Sequence, residues 1–122
     1  MKKILIVDDE KDIRDLIVKK LTQNQYAVIT ASTGQEALFI CNTNTPDLIL
    51  LDIAMPGMDG YEVCKKLKED QVTKDIPIIL LTGKDLDPKG IIEHYRDTGA
   101  CGYIPKPSTF QELLGKIKEI LG

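Results

Sequence analysis

At 122 residues, 43% of them hydrophobic and 29% charged, the chain is one domain large enough to bury a core without disulfide or metal staples, which argues against a disordered protein. Its 16 basic and 19 acidic residues leave a formal net charge of −3, and the basic ones are scattered, so the concentrated basic footprint of a nucleic-acid binder is missing. Cys41, Cys64 and Cys101 are too widely spaced for a CxxC redox or zinc pattern and too odd in number to pair fully, which fits a reducing, cytosolic setting and small buried side chains.

The first element follows Met1-Lys2-Lys3. Ile4-Leu5-Ile6-Val7 is an uninterrupted apolar run, far too short for a signal peptide or membrane span, and it reads as a strand buried on both faces that ends in the acids Asp8-Asp9-Glu10. Over 12–24, Ile13, Leu16, Ile17 and Leu21 recur at helical spacing and predict an apolar stripe, with Arg14, Asp15, Lys19 and Lys20 on the outer face. A short strand over 26–31 follows, and Ser32-Thr33-Gly34-Gln35 offers a Ser-x-x-Gln capping box for a second helix ending near Asn42.

Asn44-Thr45-Pro46 breaks the chain before Leu48-Ile49-Leu50-Leu51, a second fully apolar run, which ends in Asp52 and the turn Met55-Pro56-Gly57. The third helix, over 61–69, carries Val63, Cys64 and Leu67 inward and Lys65, Lys66 and Lys68 outward on a solvated face. A strand over 76–81 begins beside Pro77 and runs into Thr82-Gly83. Asp87-Pro88 then reads as the N-cap and first position of a helix terminated at Gly99, on which His94 is a solvated residue remote from the strand ends. The last strand, 102–105, contains Pro105 and so belongs at a sheet edge; Lys106 follows it. Ser108-Thr109-Phe110-Gln111 repeats the Ser-x-x-Gln cap before Leu113, Leu114, Ile117, Ile120 and Leu121 of the final helix.

Five strands alternating with five helices predict a parallel sheet with helices on both faces and right-handed crossovers. In such sheets ligands bind beyond the carboxyl ends of the strands. Here those ends carry Asp8 and Asp9, Asp52, Thr82 and, just past the last strand, Lys106. Alone, Asp52 reads equally well as a strand cap. Three carboxylates on one edge repel one another and raise each other's pKa, so the set requires a cation. An all-oxygen set with few protein ligands suits Mg²⁺ better than Ca²⁺, and a metal so held favours a phosphoryl group as its remaining partner. A carboxylate is itself a nucleophile toward phosphorus, and metal and lysine neutralise the charge on the transferring oxygens.

The Asp8-Asp9 doublet after Ile4–Val7, the stretch Asp52-x-x-Met55-Pro56-Gly57-Met58-Asp59-Gly60, Leu80-Leu81-Thr82-Gly83 and Gly99-Ala100 to Tyr103-x-x-Lys106-Pro107 closely resemble the receiver domains of two-component response regulators over essentially the whole chain. The resemblance implies a flavodoxin-like (βα)5 doubly wound sandwich with strand order 2-1-3-4-5. It implies that Asp52 is the phosphoacceptor, and that Asp8, Asp9, Asp52 and the Ala54 backbone carbonyl hold Mg²⁺, or Mn²⁺ in its place. Lys106 then contacts the phosphoryl group, Thr82 is the switch hydroxyl, Tyr103 is the switch aromatic, and the Lys106–Pro107 bond is cis. The implied partners are a sensor histidine kinase or histidine phosphotransfer protein and a downstream protein target. The target is reached through the surface of the fourth helix, fifth strand and fifth helix. The expected protein is a cytoplasmic signalling domain rather than an enzyme, although it assists its own phosphorylation and dephosphorylation. It touches neither nucleic acid nor membrane, is a monomer or a phosphorylation-dependent dimer, and spans 1–122 without an output domain. Gly83 stands where the family often has alanine and leaves the approach to Asp52 open, whereas Ala54 and Lys84 occupy variable positions beside the site and leave the phosphoryl lifetime open.

Three other readings compete. A phosphatase of the haloacid-dehalogenase type resembles Asp-x-Asp, but the second acid is here Ala54. A flavodoxin-like cofactor binder needs a phosphate-cradling loop after the first strand, where Asp8-Asp9-Glu10 would repel phosphate. A receiver-shaped adaptor that works without phosphorylation has no use for the full set of acids, hydroxyl and lysine.

Overall fold

The computed structural model describes residues 1–82, 102–105 and 109–122, with Thr82 and Pro105 described by their backbone. The elements are β1 (Lys3–Val7), α1 (Lys11–Gln23), β2 (Ala27–Ala31), α2 (Gly34–Thr43), β3 (Leu48–Asp52), α3 (Gly60–Glu69), β4 (Ile78–Thr82), β5 (Gly102–Pro105) and a C-terminal helix (Phe110–Leu121). All strand pairs are parallel and the order is β2-β1-β3-β4-β5, a flavodoxin-like doubly wound sheet with β3 at its centre. The expected helix over 87–99, with His94, lies outside the described residues, as do Gly83, Lys84, Cys101, Lys106 and the Lys106–Pro107 bond. No helix among the described residues is long and apolar enough to cross a membrane.

The apolar runs work by parity. Successive side chains of a strand point to opposite faces, so a strand covered on both sides can be apolar throughout. Leu5, Val7, Ile49, Leu51, Ile78 and Leu80 pack on one face against Ala37 and Cys41 of α2 and Val63, Cys64 and Leu67 of α3. Ile4, Ile6, Leu48, Leu50, Ile79 and Leu81 pack on the other against Leu21 of α1 and Leu113 and Ile117 of the C-terminal helix. β5 lies at the edge of the sheet, the position at which a strand tolerates a proline.

The helices depart from the expected pattern in their rotation and caps. Leu16, placed in the α1 stripe by spacing, is 54% exposed, while Val18 packs into the core with Ile17. The stripe that docks is therefore turned from the one the sequence suggests. That rotation brings Arg14 from the outer face into a half-buried position. Both Ser-x-x-Gln caps shift by one residue. Thr33 caps α2 by accepting from the Glu36 amide, and Thr109 caps the C-terminal helix by accepting from the Glu112 amide. Each Ser-Thr doublet offers two hydroxyls. The second is used, which sets a glutamate rather than a glutamine at the third helical position, where negative charge meets the positive end of the helix dipole. β4 starts at Ile78, after Pro77, and Ile76 packs into the core from the preceding turn. Lys68 is no solvated lysine: its Nζ donates to the carbonyls of Lys74 and Ile76 and ties that turn down.

Candidate functional site

Register sets the site. Val7 pairs with Leu51, Asp52 with Leu81 and Thr82 with Pro105, so the carboxyl ends of β1, β3, β4 and β5 form one stepped edge. Asp8 is the first residue past β1 and Asp52 the last of β3. They are 0% and 2% exposed, whereas Asp9 and Glu10 are exposed.

The local folds hold these groups in place. The Asp8 amide extends the β1 ladder by donating to Ala31 O at 3.1 Å, and its Oδ1 accepts the Glu10 amide at 2.9 Å. The chain is thereby bent sharply from β1 into α1. The Asp8 carbonyl oxygen accepts from the Arg14 guanidinium at 2.7 Å. At β3, Asp52 Oδ1 accepts the Ala54 amide at 3.2 Å, while the Ile53 amide still reaches Leu81 O at 3.0 Å. The loop then closes on itself. The Met55 and Gly60 amides both donate to Ile53 O, at 3.1 and 3.0 Å, and Gly57 takes the left-handed φ of +77° that only glycine adopts without strain. Asp59 caps α3 by accepting the Glu62 amide at 2.9 Å.

Asp8, Asp9, Glu10 and Asp52 each bring a carboxylate oxygen to within 4.8 Å of the others. This all-carboxylate donor set fits a hard divalent cation and offers nothing to a soft one. Glu10 was not among the expected ligands. A signal for it lies in the capping pattern. Glu10 is the N-cap of α1 yet makes no side-chain cap, unlike Thr33, Asp59 and Thr109 at the other described helices, and its carboxylate sits in the acid cluster instead. Arg14 was equally unforeseen at this edge, because the predicted stripe put it outward.

The remaining expected residues are placed in part. Ala54 is exposed in the loop after β3 with its amide on Asp52. Tyr103 pairs with Leu80 in the register of β5 and is 39% exposed. Thr82 ends β4 at the edge shared with Asp52. Lys106 follows Pro105 in the chain, outside the described residues.

With this geometry in hand, the chain can be set beside known proteins. A family profile described as the response regulator receiver domain matches residues 4–118. The chain is 42% identical over 120 residues to the alkaline phosphatase synthesis transcriptional regulatory protein PhoP of Bacillus subtilis, covering 98% of itself and 48% of that protein. It is 41% identical over 119 residues to the response regulator PleD of Caulobacter vibrioides, covering 97% of itself and 26% of that protein. It thus spans half or less of the length of these curated relatives. Among solved structures, the chemotaxis protein CheY4 of Vibrio cholerae superposes with a TM-score of 0.91 at 32% identity, with 99% of each chain covered. The N-terminal domain of a response regulator receiver protein from Methanoculleus marisnigri gives a TM-score of 0.78 at 40% identity, covering 100% of this chain and 98% of that one.

Proposed function

We propose that this chain, which belongs to the family of response regulator receiver domains, is a phosphorylation-dependent switch of two-component signalling in which Asp52 accepts a phosphoryl group. The observation that carries the reading is the convergence of four carboxylates within 4.8 Å around a nearly fully buried Asp52. Such a cluster is costly unless a cation uses it.

Asp8, Asp9 and Asp52, with the Ala54 carbonyl, would hold Mg²⁺, or Mn²⁺ in its place. When bound, the metal neutralises charge on the transferring phosphoryl oxygens. A carboxylate oxygen of Asp52 attacks phosphorus, the bond from phosphorus to the donor imidazole of a histidine kinase or phosphotransfer protein breaks, and an aspartyl phosphate remains. The Ala54 amide on Oδ1 holds the carboxylate in one rotamer for that attack. Lys106 is assigned to a phosphoryl oxygen and Thr82 to the switch hydroxyl. Movement of Thr82 toward the phosphoryl group opens space for Tyr103, whose partial exposure on β5 suits an aromatic that turns inward on activation. The surface of the fourth helix, β5 and the C-terminal helix then changes its affinity for a downstream protein. In this reading the chain is a cytoplasmic receiver unit that binds neither nucleic acid nor membrane itself, works as a monomer or phosphorylation-dependent dimer, and only assists its own phosphorylation and dephosphorylation.

Incubation with a small acyl phosphate and Mg²⁺, followed by intact-protein mass measurement, tests the assignment. The wild type should gain one phosphoryl group and Asp52→Asn none. Phosphorylation of Asp52→Asn at the wild-type level would place the nucleophile elsewhere.

A further inference from the structure

Gly60 opens α3, and its backbone stands against the end of β3. A Cβ on Gly60 would overlap the Asp52 carbonyl oxygen and lie 2.7 Å from Ile53 Cα and 3.0 Å from the Asp52 carbonyl carbon. All three atoms are backbone, which cannot swing aside as a side-chain tip can. The contact is two-sided, because the Gly60 amide donates to Ile53 O at 3.0 Å while the Ile53 amide is held by Leu81 O of β4 at 3.0 Å. While the next peptide is bonded to the first turn of α3, the peptide joining Asp52 to Ile53 is held by β4 at its amide and backed by Gly60 at its carbonyl. That peptide sets the direction of the Asp52 side chain and the placement of Ala54, whose amide holds Asp52 Oδ1.

We propose that Gly60 is a positioning residue: by admitting the start of α3 into contact with the Asp52 carbonyl, it fixes the Asp52 carboxylate against Asp8 and Asp9. The proposal rests on reading the acid cluster as a divalent-cation site. Any side chain at residue 60 must lift α3 or rotate the peptide of Asp52. Either movement shifts the carboxylate relative to its partners on β1, and groups that orient metal ligands change metal affinity about 10- to 100-fold when lost.

The experiment is calorimetric titration of Mg²⁺ alone into folded protein, with folding checked by circular dichroism. Gly60→Ala should weaken Mg²⁺ binding by about tenfold or more. Asp59→Ala is the milder variant and decides the matter if Gly60→Ala does not fold. It removes the α3 cap to the Glu62 amide and adds no atoms, so it loosens the same seat and should weaken binding several-fold. Asp59→Asn keeps a capping side chain without the charge and should bind as the wild type does. Thr33→Ala removes the equivalent cap of α2, at comparable cost in stability, and should leave Mg²⁺ affinity unchanged. Wild-type affinity in folded Gly60→Ala or in Asp59→Ala would overturn the proposal. So would equal weakening in Asp59→Asn, which would make the effect one of charge, or in Thr33→Ala, which would make it one of stability. Absence of Mg²⁺ binding by the wild type would overturn the cation-site reading itself, and this proposal with it.

Discussion

Neutralising Asp52 should make the metal-free protein more stable. Asp52 and Asp8 are both buried, and their carboxylate oxygens lie within 4.8 Å of each other. Two unit charges at that separation repel by about 3.5 kcal/mol at an effective dielectric of roughly 20. Asp9 and Glu10 are exposed, so water screens their share to about 1 kcal/mol each. Against this, Asp52→Asn introduces a buried amide NH₂ that needs a partner, at about 1–3 kcal/mol, while its carbonyl oxygen still accepts the Ala54 amide. The balance favours the variant by about 3.5 kcal/mol, which at a typical urea m-value of about 2 kcal/mol per M raises the midpoint by nearly 2 M.

Urea denaturation in chelator and in Mg²⁺ measures this directly. A cation at about 100 times its dissociation constant adds about 2.7 kcal/mol to the wild type, and Asp52→Asn should gain clearly less because one ligand charge is gone. The two proteins should therefore be well separated without metal and close together with it. A metal-free variant no more stable than the wild type would refute the claim that these carboxylates are in strained proximity. An equal gain from Mg²⁺ in both would remove Asp52 from the cation site.

Three further outcomes follow from the same geometry. Thr33→Ala should cost about 1 kcal/mol in chemical denaturation and Ser32→Ala only a few tenths, because Thr33 caps α2; the reverse order would restore the Ser-x-x-Gln register. Gln25 holds a φ of +69° at the turn from α1 to β2, where the Tyr26 amide donates back to Leu21 O, so Gln25→Gly should raise stability by about 0.5–1 kcal/mol, and a loss would show that its side chain makes a compensating contact. Burial pushes the Cys41 thiol up to about 11 from 9.0. The unfolded chain therefore releases this proton first as pH rises, and folding stability should fall between about pH 9 and pH 11, by roughly 3 kcal/mol in all. Cys41→Ala should lose that part of the pH dependence, and an unchanged slope between wild type and variant would refute it.

Much of the fold can be read from the chain, because the strand runs are too short for helices and Pro105 cannot lie inside a sheet. What the runs hide is their parity. A strand buried on both faces shows no alternation, so nothing in Leu48 to Leu51 says which residue meets α1 and which meets α3; only the helices resolve it. Helix rotation is similarly hidden. Leu16 and Val18 satisfy the apolar pattern almost equally, and the choice between them depends on what the sheet presents. At the site, Asp8 and Asp52 are visible because each abruptly ends an apolar run, and Asp9 because it doubles the first of them. Glu10 and Arg14 are not, since a residue that leaves its usual role as cap or outer-face cation does so only in three dimensions.

The arrangement separates where stability comes from and where it is spent. Every residue from Ile4 to Val7 and from Leu48 to Leu51 is fully buried on a sheet covered on both faces, and these strands carry the core. At the residue after each run the chain buries a carboxylate instead, and the two bring oxygens within 4.8 Å of each other. Backbone amides from Glu10 and Ala54 meet one oxygen of each carboxylate and fix its orientation. The concentration of acidic charge is therefore confined to one step at the edge of the sheet. On the proposed function a cation, or a phosphoryl group with its cation, would offset that charge there, between the loop after β3 and the turn into α1.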